Sequence, residues 1–273
     1  NKKNRVYLKL HMINFTKMHG IGNDFIVINQ INTNFNLSSL AIKALANRNF
    51  GIGFDQLLIV ESTKDIKAEF KYRIFNADGK EVEQCGNGAR CFYRYIQHHK
   101  LTENKTVLVE TKSGIIELTE TSEEHISVNM GRPVFKTSSS TDDYILVSLG
   151  NPHAVMTVTK NPNWEKYITI GKKIQSKFSD GVNVGFMLII DKKNIKLKVL
   201  ERGSGLTLAC GTGACAASAV AISKGLVDSP VKVHMDGGDL DIKWDGTNSM
   251  TMSGPAQIVY EGKVDLKSIA NND

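Results

Sequence analysis

Cysteine and proline are both scarce, with four and five residues in a chain of 273. Five prolines beside 23 glycines exclude collagen-like and Pro-rich low-complexity chains. Cys85, Cys91, Cys210 and Cys215 are too few to staple so long a chain as a disulfide scaffold. That points to a reducing compartment, and the expected location is cytoplasmic. Long hydrophobic runs are absent as well. The most apolar stretch, Ala214–Ile222, includes a serine and is about half the ~18 residues of a membrane span, so no membrane partner is expected. The N-terminus is basic but has no apolar h-region and no small-residue cleavage site, so no secretory signal is expected. Met12-Ile13-Asn14-Phe15 reads as a natural start, with the residues before it an extension. A strong charge of one sign is missing too. The net charge is +6, and Lys2, Lys3, Arg5 and Lys9 supply four of those six. A basic leader is not a basic folded face, so no nucleic-acid partner is expected.

What remains is ordinary globular material: 41% hydrophobic and 23% charged residues, enough to bury a core. The length suits one large domain or two medium ones. Alternation and β-branched residues predict many short strands, at 25–29, 57–61, 69–75, 107–111, 115–119, 126–129, 145–148, 154–159, 184–190, 196–200, 231–235, 240–244 and 250–252. Helices are fewer. One is expected from Ser38 or Ser39 to about Asn49, one from near Asn87 to Lys100, and one from near Thr212 to a C′ glycine at Gly225. A shorter one is expected within 170–178. The third helix is small or apolar on every side, so it must be buried on every side. A curved sheet wrapped around it supplies that shelter.

The chain also repeats itself. Gly22-Asn23-Asp24-Phe25 resembles Gly150-Asn151-Pro152-His153, and Cys85-Gly86-Asn87-Gly88-Ala89 resembles Cys210-Gly211-Thr212-Gly213-Ala214. Between them, Gln56 lies 33 residues after Asn23 and Asn183 lies 32 after Asn151. Three matches in order at near-equal spacing indicate two homologous halves related by a pseudo-two-fold axis. Ser138-Ser139-Ser140-Thr141 reads as a loop inside the second half. The expected organisation is an extension at 1–12, a first half at 13–129 plus 260–273, and a second half at 130–259.

Each half sets a cysteine on the lip of a helix. A helix N-terminus offers unpaired N–H groups and the positive end of the dipole, which hold a carboxylate and favour an ionised thiol. Flanking glycines let a ligand approach the backbone closely. Two such thiols could address opposite faces of one carbon, one removing a proton and the other returning one. Other readings compete. Cys91 and Cys215 lie inside predicted helices and read as core. A zinc site needs matched C-x₂₋₄-C pairs, which Cys85-x₅-Cys91 does not provide. Cys–His hydrolysis needs one nucleophile and leaves the duplication unexplained. A phosphate loop at Cys85-Gly86-Asn87-Gly88 is only weakly indicated.

At these residues the chain resembles the diaminopimelate epimerase family. The matching segments are 15–25, 51–57, Phe75-Asn76-Ala77-Asp78-Gly79, 84–91, Asn129-Met130-Gly131, Gly150-Asn151-Pro152-His153, 182–186, Glu201-Arg202-Gly203 and 209–215. The resemblance runs from about Ile13 to the C-terminus. It implies an α/β fold of α+β type, in two pseudo-symmetric halves, each a curved, mostly antiparallel sheet around a central helix. It also implies an isomerase that interconverts L,L- and meso-2,6-diaminopimelate with no pyridoxal phosphate and no metal. In that reading Cys85 is the acid and Cys210 the base in the L,L-to-meso direction, and His153 and Glu201 tune the thiols. Asn23, Gln56, Asn76, Asn151, Asn183, Glu201 and Arg202 match substrate-binding positions, as do the amides of Gly86, Asn87, Gly211 and Thr212.

Arg202 offers a planar fork for a distal carboxylate. Read singly, His153 is also a plausible structural histidine, Asn76 a turn residue and Glu201–Arg202 a surface ion pair. The expected partner is a small amino acid, with a homodimer left open. A proline-type racemase, a small-molecule binding protein and a structural zinc module are the alternatives. Two departures from the family pattern stand out: Leu206 where an acidic residue is usual, and a short segment between Pro133 and Gly150.

Overall fold

The structure is a computed structural model and describes residues 12–33, 35–83, 85–122, 124–136, 143–159 and 162–270. The extension 1–11, Gln84 and the Ser138–Thr141 loop lie outside the described residues. Two compact units are present. One comprises 1–20, 24–119 and 256–273, and the other 21–23 and 120–255.

The first unit begins with β1 (Met12–Gly20), β2 (Asn23–Asn29), α1 (Ser39–Ala46), β3 (Gln56–Glu61), β4 (Phe70–Asn76), β5 (Glu81–Val82), α2 (Gly86–His98), β6 (Thr106–Thr111) and β7 (Gly114–Glu120). The second holds β8 (His125–Gly131), β9 (Val134–Lys136), β10 (Ile145–Ser148), β11 (Pro152–Thr157), α3 (Trp164–Gln175), β12 (Asn183–Ile189), β13 (Asn194–Glu201), β14 (Gly205–Thr207), α4 (Gly211–Ser223), β15 (Val231–Met235), β16 (Gly238–Lys243) and β17 (Met250–Pro255). The chain then returns to the first unit as β18 (Gln257–Asp265) and α5 (Leu266–Ala270).

Strand pairing carries the internal repeat. In the first unit β2 pairs parallel with β3, β3 antiparallel with β4, β4 antiparallel with β5 and parallel with β6, and β6 antiparallel with β7. In the second unit β11, β12, β13, β14, β15 and β16 reproduce that sequence of pairings step for step. The central helices α2 and α4 fall at the same step of the order. α4 packs against β10, β11, β12, β13, β15, β16 and β17, so the sheet does wrap the all-apolar helix. Small side chains permit the close approach: a Cβ on Gly213 would meet Val199 Cγ2 at 2.9 Å. The first unit's core gathers Phe15, Ile26, Ile28, Leu45, Phe54, Leu57 and Phe75. A core in the second gathers Ala154, Met156, Val184, Phe186 and Leu200.

Several details differ from the sequence reading. β8 belongs with the second unit because it pairs antiparallel with β17, which moves the first boundary to 119/120 and the second to 255/256. Residues 21–23 also fall in the second unit; a Cβ on Gly22 would meet Leu208 Cδ1 at 3.0 Å. α3 starts at Trp164 instead of within 170–178, because the Asn163 side chain accepts from the Lys166 N–H and caps it there. α1 stops at Ala46, where the Asn47 side chain accepts from the amides of Asn49 and Phe50 and turns the chain away. Strands β1 and β18 were not foreseen. They pair with each other from opposite ends of the chain, a pairing that local periodicity cannot show.

Candidate active site

In the first unit, Cys85 is the N-cap of α2. Its backbone is extended (φ −141, ψ 114), and its Sγ accepts from the Gly88 N–H at 3.4 Å. Gly86 and Asn87 open the helix and are buried. Cys85 itself is half-buried, whereas Cys91, six residues further on, is fully buried and its thiol is pushed well up by desolvation. The strand register places Gln56 opposite Asn76, and the Gln56 Nε2 donates to Asn76 Oδ1 at 2.9 Å. Gln56 Oε1 is buried without a hydrogen-bond partner, an acceptor left over for another donor.

In the second unit, Cys210 occupies the N-cap position of α4 with almost the same backbone angles (φ −140, ψ 105), but its side chain makes no capping hydrogen bond. It is 5% exposed. Its Sγ lies 3.7 Å from Thr212 Oγ1. The Thr212 hydroxyl accepts from Asn151 Nδ2 at 3.1 Å and lies 2.9 Å from His153 Nε2. His153 Nε2 is also 3.2 Å from Asn151 Oδ1. Asn151, His153, Thr212 and Cys210 therefore form one polar chain ending at the thiol. Burial, helped by the nearby Arg202 charge, lowers the His153 pKa to about 4, so the ring is neutral at physiological pH. With the Thr212 oxygen accepting from Asn151, its single hydrogen is free to point at His153 or at the thiol.

Strand register brings in the remaining side chains. His153 is opposite Asn183, and Asn183 Oδ1 accepts from the Arg202 N–H at 3.0 Å. The Arg202 Nη1 donates to the Asp180 carbonyl at 2.8 Å, and Thr207 Oγ1 donates to Glu201 Oε1 at 2.6 Å. Leu206 sits opposite Leu200 with its side chain partly exposed. Asn23 lies in the second unit, whereas the sequence placed it in the first half.

Two side chains near the first thiol escaped the sequence reading. Tyr72 is fully buried, and its Oη would stand 2.4 Å from a Cβ on Gly88. Burial, followed by Coulombic repulsion from Cys85 and Cys91, pushes its hydroxyl pKa well up. Phe25 is opposite Gln56, as His153 is opposite Asn183, and its Cε1 would be 3.3 Å from the same Cβ. The repeat Gly22-Asn23-Asp24-Phe25 against Gly150-Asn151-Pro152-His153 carried this signal. The half that has a histidine chain to its thiol is matched by one with an aromatic floor.

Solved structures share the architecture. A PhzF-family phenazine biosynthesis protein of Bacillus anthracis aligns with a TM-score of 0.72 at 17% identity, covering 93% of this chain and 99% of its own. A hydroxyproline epimerase of Agrobacterium vitis aligns with a TM-score of 0.72 at 14% identity, covering 94% and 93%. Twin units of this topology, each with a cysteine at the N-cap of its central helix, define the two-unit fold class that these structures share. Within that class the chain belongs to the diaminopimelate epimerase family, whose model matches residues 15–136 and 145–259. The diaminopimelate epimerase of Nitrosomonas eutropha is 49% identical over 278 residues, covering 93% of this chain and 99% of its own. That of Pseudomonas syringae pv. syringae is 46% identical and covers 93% and 100%. No described helix is long and apolar enough to cross a membrane.

Proposed function

We propose that the chain interconverts L,L- and meso-2,6-diaminopimelate by two-base proton transfer, supplying lysine and cell-wall precursors in the cytoplasm, as a homodimer. The observation that carries this reading is the pair of cysteines at equivalent steps of a duplicated topology, each at the N-cap position of its helix with matching backbone angles.

In the L,L-to-meso direction the Cys210 thiolate takes the α-proton. The C–H electron pair is left on the α-carbon and delocalises into the carboxylate. The Cys85 thiol then delivers its own proton to the opposite face. The centre is inverted, Cys210 ends as thiol and Cys85 as thiolate, and the reverse reaction restores them. Each acid–base partner is worth about 10²–10⁴-fold. The amides of Gly86, Asn87, Gly211 and Thr212 hold the reacting carboxylate, where helix N-termini offset its growing charge. His153 is a positioning residue acting through Thr212, and Glu201 tunes the second thiol's surroundings. Arg202 takes the distal carboxylate, and Asn23, Gln56, Asn76, Asn151 and Asn183 hold the ammonium and carboxylate groups with neutral amides.

Incubating the protein with L,L-diaminopimelate and no added cofactor tests this. The meso isomer is expected, with no turnover of L-proline; failure to form it, or racemisation of proline instead, overturns the assignment.

A further inference from the structure

The far end of α2, about 20 Å along the helix from Cys85 at ~1.5 Å per residue, carries a group of side chains that the reaction does not use. His98 is the last helical residue, His99 is the C-cap, and Glu261 faces them from β18. All three belong to the first unit. His98 Nε2 lies 3.4 Å from Glu261 Oε1, and His99 Nε2 lies 3.3 Å from that same oxygen. Both separations exceed the ~2.7–3.2 Å of an ordinary N–H···O hydrogen bond. They equal the edge of a tetrahedron around a metal with ligand bonds near 2.0–2.1 Å, which is about 3.3–3.4 Å. All three ligand atoms lie within 4.8 Å of one another.

We infer that His98, His99 and Glu261 form a binding site for a divalent first-row transition-metal ion, zinc above all, which clasps the end of α2 to β18. The ligand chemistry is right: two imidazoles and one carboxylate suit zinc, with water completing the shell. The two rings stand at 89° with centroids 5.1 Å apart. His99 is held by a tilted stack on Tyr95 at 4.2 Å. Its Nε2 is 3.3 Å from Thr16 Oγ1, which puts a hydroxyl beside the open coordination positions to bond a metal-bound water. The negative end of the α2 dipole favours a cation here. His99 and Glu261 also line a cavity of about 680 Å³ that gives an ion a route in.

The test uses the full chain, stripped with a chelator, with its reactive thiols alkylated so that sulfur cannot supply the ligands. Calorimetry is expected to show one zinc per chain. Cobalt(II) is expected to give tetrahedral ligand-field absorption without a thiolate charge-transfer band. His98→Ala and Glu261→Gln alter half-exposed side chains, so each is expected to leave the metal-free melting temperature unchanged. Each should weaken zinc binding at least about tenfold and abolish the rise in melting temperature on adding zinc. Zinc uptake that disappears on alkylation, or that is unchanged in both variants, overturns the site.

Discussion

The two helix-lip thiols occupy matched backbone positions in unlike surroundings. Cys210 ends a chain through Thr212 to His153 and Asn151, while Phe25 and Tyr72 lie beneath the first turn after Cys85. Under two-base chemistry each thiol serves one face. Cys85→Ala should therefore collapse inversion in both directions, and any exchange it retains in heavy water should fall on the L-centres of the L,L isomer. Cys210→Ala should instead exchange only the D-centre of the meso isomer. Proton NMR of each variant with each isomer reads this out, and near-wild-type epimerisation by either variant would leave the second thiol without a role. Tyr72 supports a stability prediction. Its hydroxyl is buried without a hydrogen-bond partner, a burden of about 1–3 kcal/mol. Tyr72→Phe removes that burden with little change of shape and is expected to raise the urea midpoint. A loss of stability would show that the hydroxyl has a partner in solution.

Helix ends show how the repeat has diverged. α4 closes with Gly225 at φ 63, the Gly225 N–H bonding to the Ile222 carbonyl and the Leu226 N–H to that of Ala221. This is the left-handed cap expected of a C′ glycine. α2 closes in the same way through Lys100 and Leu101, bonded to Gln97 and Ile96, but Lys100 sits at φ 53. A left-handed conformation costs an L-residue roughly 1–2 kcal/mol, which glycine avoids at the price of a floppier unfolded chain. Lys100→Gly is expected to stabilise the protein by up to about 1 kcal/mol, seen as a higher melting temperature with unchanged activity. The equivalent Gly225→Lys should lose a similar amount. Opposite signs at equivalent positions would confirm that the caps, and not the side-chain surroundings, set the energies.

Across the whole molecule, the buried His153 and the half-buried Asp24 tie stability to pH. The folded His153 takes up its proton only near pH 4, whereas the unfolded ring does so near 6.5. Between those values the unfolded chain binds more protons, so this stability is fully present above pH 6.5 and is lost as pH falls towards 4. Asp24 acts lower. Burial alone would raise its pKa, but hydrogen bonds from Arg48 and Lys17 outweigh it and hold the carboxyl well below its usual value, so its contribution fades in stronger acid. Urea midpoints measured from pH 7.5 to 4.5 should fall, and the slope should flatten in His153→Gln. An unchanged slope in that variant would place the titration elsewhere.

The sequence by itself determined the duplication, the all-round burial of α4 and the helix-lip cysteines, because each is written in local spacing and side-chain size. It also singled out Asn151, His153 and Thr212, which form one polar chain to Cys210, but not the buried Tyr72 near Cys85. Only the tertiary structure decided that β8 joins β17, that β1 pairs with β18, that residues 21–23 go with the second unit, and that His98, His99 and Glu261 meet. Each of these depends on residues far apart along the chain. Their partnership is fixed by strand register and by competition for a shared core, which no local pattern records.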